Sequence, residues 1–125
     1  MPVVKQSRYS FAETTSRLLD AIVHAGNIVF ATIDQAAAAA KAGLTLRSTL
    51  LIVFGNPKGG TMLMQAFPLV ALELPLKFVI WEEGGFVRVA YVPASALAAR
   101  YDVSAKESLI AAMDEMLASL SDSVT

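Results

Sequence analysis

The chain contains no cysteine. Disulfides, iron–sulfur clusters, thiolate zinc sites and cysteine nucleophiles are thereby excluded together, and the composition fits a reducing, cytoplasmic setting. Histidine is almost as scarce, with His24 alone in 125 residues. One imidazole without thiolates cannot build the usual zinc constellations. A Ser-His-Asp triad would have to recruit His24, and no Gly-x-Ser-x-Gly elbow accompanies it. A dipole-matched histidine near a helix C-terminus is the plainer reading. No metal and no cofactor is therefore expected, and no catalytic residue is assigned.

An excess of either charge is missing too: ten basic against eleven acidic residues leave a formal charge of −1. The Lys and Arg are scattered singly, so a nucleic-acid partner is not expected. Long apolar runs are likewise absent. The longest stretches without Asp, Glu, Lys or Arg are Gly59 to Leu72, 14 residues broken by Pro68, and Ala21 to Ile33, 13 residues. Both fall short of the ~20 residues that span a bilayer, and the start MPVVKQSRYS lacks the apolar core of a secretory leader, so no membrane association is expected.

What is abundant is apolar side chain: 55 % without counting glycine, where soluble domains usually reach about 45–50 % with it. Alanine supplies part of this, with Ala36 to Ala40 unbroken. Leu50 to Phe54 and Phe78 to Trp81 are instead large residues in strand-like runs, and a run with no polar face asks for cover on both sides. A single layer of helices covers only one. Self-pairing of the chain through its sheet is the expected solution, a homodimer.

Residues 1–120 read as one domain and 121–125 as a polar tail that frays. Ser10-Phe-Ala-Glu13 is a capping box opening a helix that carries Leu18, Leu19, Ile22 and Val23 and ends at Gly26. Ile28 to Ile33 is a β-branched strand, and Asp34 caps a short alanine helix, Gln35 to Ala42. Thr45 to Gly55 is the central strand. Asn56 to Gly60 is a loop by its chemistry, followed by a short helix, Thr61 to Ala66. Leu76 to Trp81 and Phe86 to Val92 form a hairpin around Glu82-Glu83-Gly84-Gly85. After a brief helical turn from Ala94 to Tyr101, a second capping box, Ser104-Ala-Lys-Glu107, starts a helix with Leu109, Ile110, Met113, Met116, Leu117 and Leu120 on one stripe. The predicted class is α/β (α+β): a two-layer sandwich with about five strands in a mixed sheet and helices on one face, in the order β-α-β-short α-β-short α-β-β-α.

Several of these pieces together, Thr32-Ile-Asp34, Ala42-Gly-Leu44 with Leu46-Arg47, Phe54-Gly-Asn-Pro-Lys58, Leu74-Pro-Leu-Lys77 and Trp81-Glu82, resemble the family catalogued as domain of unknown function 302. The likeness runs from about Ile28 to Tyr101. It implies a two-layer α/β fold, a homodimer and no assigned activity. Many members carry histidine after the aspartate and after the arginine, where this chain has Gln35 and Tyr101. A metal or haem role resting on those histidines does not carry over.

Only one segment has chemistry beyond packing. Gly55-Asn-Pro-Lys-Gly-Gly-Thr61 leads from an apolar strand to a helix and sets Lys58 beside backbone amides at a helix N-terminus, an arrangement that holds anions. It is not a phosphate-binding Walker loop, which needs lysine directly after its second glycine. Asn56, Lys58, Gly59, Gly60 and Thr61 are the candidate contacts for a small anionic ligand. Trp81 and Tyr91, with Met62 and Met64, could line an apolar pocket beside them, or could instead be core or dimer interface. The bland reading of the loop is a turn whose glycines and proline set backbone angles. Glu82-Glu83 reads as a solvated pair on a hairpin turn rather than a cation site. Two alternatives stand beside ligand binding: a structural or protein-interaction module that uses its apolar sheet face, and an enzyme drawing on Lys58, Glu82 or Tyr91, for which no paired acid and base is visible.

Overall fold

A computed structural model describes residues 1–101 and 106–125, with the side chains of residues 97 and 98 set aside. Five strands, β1 (Val3–Gln6), β2 (Ile28–Asp34), β3 (Thr49–Gly55), β4 (Leu76–Glu83) and β5 (Phe86–Tyr91), alternate with five helices. The helices are α1 (Phe11–His24), α2 (Gln35–Lys41), α3 (Pro57–Ala66), α4 (Ala94–Tyr101) and α5 (Glu107–Asp122), with a 3-10 turn at Pro68–Leu72. The strands form one sheet in the order β1-β5-β4-β3-β2.

Every pairing in that sheet is antiparallel, so the sheet is not mixed as expected from the sequence. Parallel neighbours need a crossover between adjacent strands. Here the one long crossover, α1, carries the chain from edge strand β1 to the opposite edge β2, and the two never pair. The class expected from the sequence, two layers with helices over one face, is the class observed. At the β4–β5 hairpin the strands run on to Glu83 and restart at Phe86, leaving Gly84 and Gly85 at φ of +61° and +81°. Two consecutive positive φ angles match the twist of a two-residue hairpin turn, and glycine takes them without strain.

The helix-covered face holds the main core: Leu18 and Ile22 of α1 and Leu117 and Leu120 of α5 lie over Ile52, Phe54, Leu76, Phe78, Ile80, Val87 and Val89. Phe54 stacks on Phe78 with ring centroids 5.2 Å apart, and Phe78 meets Tyr91 edge-on at 5.5 Å. A second, smaller cluster of Leu63, Val70, Ala94 and Ile110 joins α3, the 3-10 turn, α4 and the start of α5.

Three local expectations change. Ser10 caps α1 by accepting from the Glu13 amide, but the Glu13 carboxylate turns away to pair with Arg17 one helical turn on, so the capping box is half made. The tail is packed rather than set apart: α5 continues to Asp122, and Ser121 and Val124 are fully buried. Val124 is an apolar residue in an otherwise polar stretch, and it seats in the main core. Its carbonyl accepts from the Ser7 hydroxyl at 3.0 Å and the Arg8 amide at 3.2 Å. The β3 strand starts at Thr49 rather than Thr45. The capping box expected at Ser104 falls outside the described residues.

Among the described residues, no helix is laid over the centre of the opposite face of the sheet. Register places Val4, Ala90, Val79, Leu51 and Ile33 in one row across all five strands. Ala90 is 7 % exposed, Val4 54 % and Ile33 41 %. The flanking row is Gln6, Arg88, Trp81 and Thr49. The face is apolar along its middle row, and the flanking row carries three polar residues beside Trp81.

Candidate functional site

Pro57–Gly60, expected as part of a loop from Asn56 to Gly60, is instead the first turn of α3. Asn56 is the N-cap of α3, its side-chain oxygen accepting from the Lys58 amide at 3.0 Å, and Pro57 occupies the first helical position. Proline fits there because its fixed φ suits the helix and its missing N–H would have had no partner. This uses up most of the amides on which anion capture was to depend: Pro57 has none, Lys58 donates to the cap and Gly60 donates to the Asn56 carbonyl. The Gly59 amide is the remaining first-turn donor, with no acceptor among the described residues. Thr61 is exposed and lies off the cavity described next.

Beside this turn a cavity of about 420 Å³ opens between α3, the Leu74–Leu76 segment, α5 and Phe30 of edge strand β2. Its wall is apolar and rich in methionine. Met62, Met64, Met113 and Met116 all line it, four of the five in the chain. Lys58 is the one charged residue on its described lining, and it makes no ion pair among the described residues. At Gly59 α3 comes close to α5: a Cβ there would lie 3.4 Å from Leu109 Cδ1. Met113 and Met116 join from a helix more than forty residues on, which spacing along the chain could not reveal. The stripe on α5 marked them as core, and they sit where core gives way to cavity.

The structure thus divides the predicted site. Asn56, Lys58, Gly59 and Gly60 come together with Met62 and Met64, while Trp81 and Tyr91 do not join them. Those two line a separate hollow of about 640 Å³ on the uncovered sheet face, with Leu51, Val79, Ala90 and Val4. The reason is alternation along β4, where Leu76, Phe78 and Ile80 point to the core, so Trp81 points away from it. Tyr91, buried against Phe78, sits at the strand end between the two layers. Lys58, Glu82 and Tyr91 consequently lie on the α3 turn, the exposed hairpin and the sheet, and form no acid–base pair.

One polar cluster stands at the rim of that hollow. Glu73 Oε1 accepts from Arg100 Nη1 at 2.6 Å and from the Tyr101 hydroxyl at 3.1 Å. The Arg100 and Tyr101 hydrogen bonds hold the Glu73 carboxyl below its ordinary value. Desolvation, and then the Glu73 contact, push the Tyr101 phenol up. Tyr101 here ties α4 to the turn before β4. Among the described residues no three His, Asp or Glu side chains gather to hold a metal ion, and no helix is long and apolar enough to cross a membrane.

Comparison with known proteins agrees with this architecture. A crystal structure titled as an uncharacterized conserved protein DUF302 from Bacillus stearothermophilus superposes with a TM-score of 0.92, covering 99 % of this chain and 98 % of that one at 19 % identity. At that identity the likeness speaks for the fold. Among curated proteins, fluoride-specific ion channel FluC 1 of Brucella suis biovar 1 and FluC 1 of Brucella abortus biovar 1 each match 82 residues at 44 % identity. The match covers 66 % of this chain but 32 % and 30 % of theirs, so the chain spans under a third of the length of the curated relatives it matches. The family model described as "Domain of unknown function DUF302" matches residues 3–121, and the chain belongs to that family.

Proposed function

We propose that this protein is a homodimeric, cytoplasmic ligand-binding domain, in which two copies join through the uncovered sheet face and each holds a small anionic molecule at the Asn56–Thr61 turn. The observation that carries the ligand reading is Lys58, the one charged residue on the described lining of an apolar cavity, with no carboxylate to neutralise it. The Gly59 amide and the positive end of α3 add to its pull on an anion. The row Val4–Ala90–Val79–Leu51–Ile33, apolar across all five strands, supports the pairing. The ligand reading is tested by thermal shift with phosphate, acetate and larger organic acids. Stabilisation that disappears in Lys58→Ala supports it; no stabilisation, or an equal response in the variant, removes it.

A second reading has an observation of its own. The curated relatives are fluoride-specific channels in which the related segment is under a third of the chain. On this reading the domain is a partner-binding module whose sheet face docks on a membrane channel. Flotation of the protein with vesicles containing a fluoride-specific channel, against channel-free vesicles, decides it: channel-dependent recovery, weakened by Val79→Lys, favours docking, and equal recovery from both dismisses it.

A further inference from the structure

Resting on the reading of the Asn56–Thr61 turn as an anion site, we infer that its ligand is an amphiphilic monocarboxylate, with an alkyl chain in the methionine-lined cavity and the carboxylate at Lys58. The cavity has two unlike parts. Its wall is Phe30, Leu74, Leu109 and the four methionines, which offer a bound molecule no hydrogen-bond donor. Its polar groups, Asn56 and Lys58, sit at one place, the start of α3.

That asymmetry selects the ligand. A bare inorganic anion drawn inside would lose hydration against apolar walls with nothing to replace it. A neutral apolar molecule would leave the Lys58 charge unused. A multiply charged phosphate is matched by several cations or a bidentate arginine, and this lining carries a single lysine. One positive group beside an apolar cavity complements one negative group on an apolar tail. At about 420 Å³ the space lies within the ordinary range for small-molecule sites. Methionine suits a flexible tail better than a rigid ring, because its unbranched thioether repacks around guests of different shape. Met62 is already 48 % exposed at the opening, so entry requires no movement of buried core.

Calorimetric titration of the full chain with sodium decanoate, 1-decanol and sodium acetate, each below the concentration at which it self-associates, tests this directly. Decanoate is expected to bind at least tenfold more tightly than either of the others, and Lys58→Ala to bring it to the level of decanol. Ala112→Glu supplies a second variant. Ala112 is exposed on α5 and lines the cavity, so the fold tolerates the change while the new carboxylate repels decanoate and leaves decanol nearly unaffected. Acetate binding as tightly as decanoate, in a Lys58-dependent way, overturns the amphiphile and leaves the anion site standing. Decanol binding as tightly as decanoate, with Lys58→Ala silent, overturns both. So does the absence of binding by all three probes.

Discussion

Deleting Ser121–Thr125 tests how the helix layer is locked to the sheet. Val124 is fully buried in the main core, and complete burial of a valine side chain contributes about 1.5–3 kcal/mol. Its carbonyl is the acceptor for the buried Ser7 hydroxyl. Losing that acceptor costs about 1 kcal/mol, softened where water can enter the gap. The Lys5–Asp122 ion pair is open to solvent on the Asp122 side, 68 % exposed against 25 % at Lys5, and adds little. The truncated chain is therefore expected to lose roughly 2.5–4 kcal/mol, a large share of the ~5–15 kcal/mol typical of a whole domain. Val124→Ala, which removes two methyl groups and leaves a small cavity, should lose about 2 kcal/mol. Urea unfolding followed by circular dichroism reads both as shifts in midpoint at an unchanged slope. A truncation that costs under about 1 kcal/mol would mean the tail is as loose as its composition suggests, and that its packing against Ser7 contributes nothing.

Other consequences follow from single contacts. Asp114 on α5 accepts from the Ala94 amide at 2.6 Å and the Ser95 amide at 3.3 Å, so it caps α4 from a distance in sequence. Asp114→Ala should cost about 1 kcal/mol, with the loss of hydrogen-exchange protection concentrated in α4. The Glu73 carboxyl is held below its ordinary value of 4.5 by Arg100 and Tyr101, so its contribution is complete above that value and is lost as pH falls through the lowered one. As pH falls below 4.5 the protein should lose stability more steeply than Glu73→Gln does, and parallel acid limbs would contradict the assignment.

Much of this fold could be read in the residues because local and global signals agreed. The β4–β5 hairpin follows from Gly84-Gly85 between two apolar runs, and the alanine helix from its Asp34 cap, whose carboxylate accepts from the Ala37 amide. The misreadings arose where one strong local signal hid another. Two glycines and a proline outweighed the capping role of Asn56, so the first turn of α3 passed for loop. The polar company of Val124 concealed a core residue. The candidate site was half legible for a different reason. Lys58 and Met64 are close in sequence and share a helix, but Met113 and Met116 arrive only through the docking of α5. Which face Trp81 occupies is open in the residues alone between pocket, core and interface, because the alternation of β4 has no absolute direction without the helices that define the core side.

A second copy of this chain is proposed to cover the uncovered face of the sheet. Light scattering on the isolated protein, with Val79→Lys beside it, measures that directly. A mass near twice 13.3 kDa for the protein and near 13.3 kDa for a folded Val79→Lys variant is expected. A protein that stays at 13.3 kDa at tens of micromolar, or a Val79→Lys variant that remains dimeric, would contradict it.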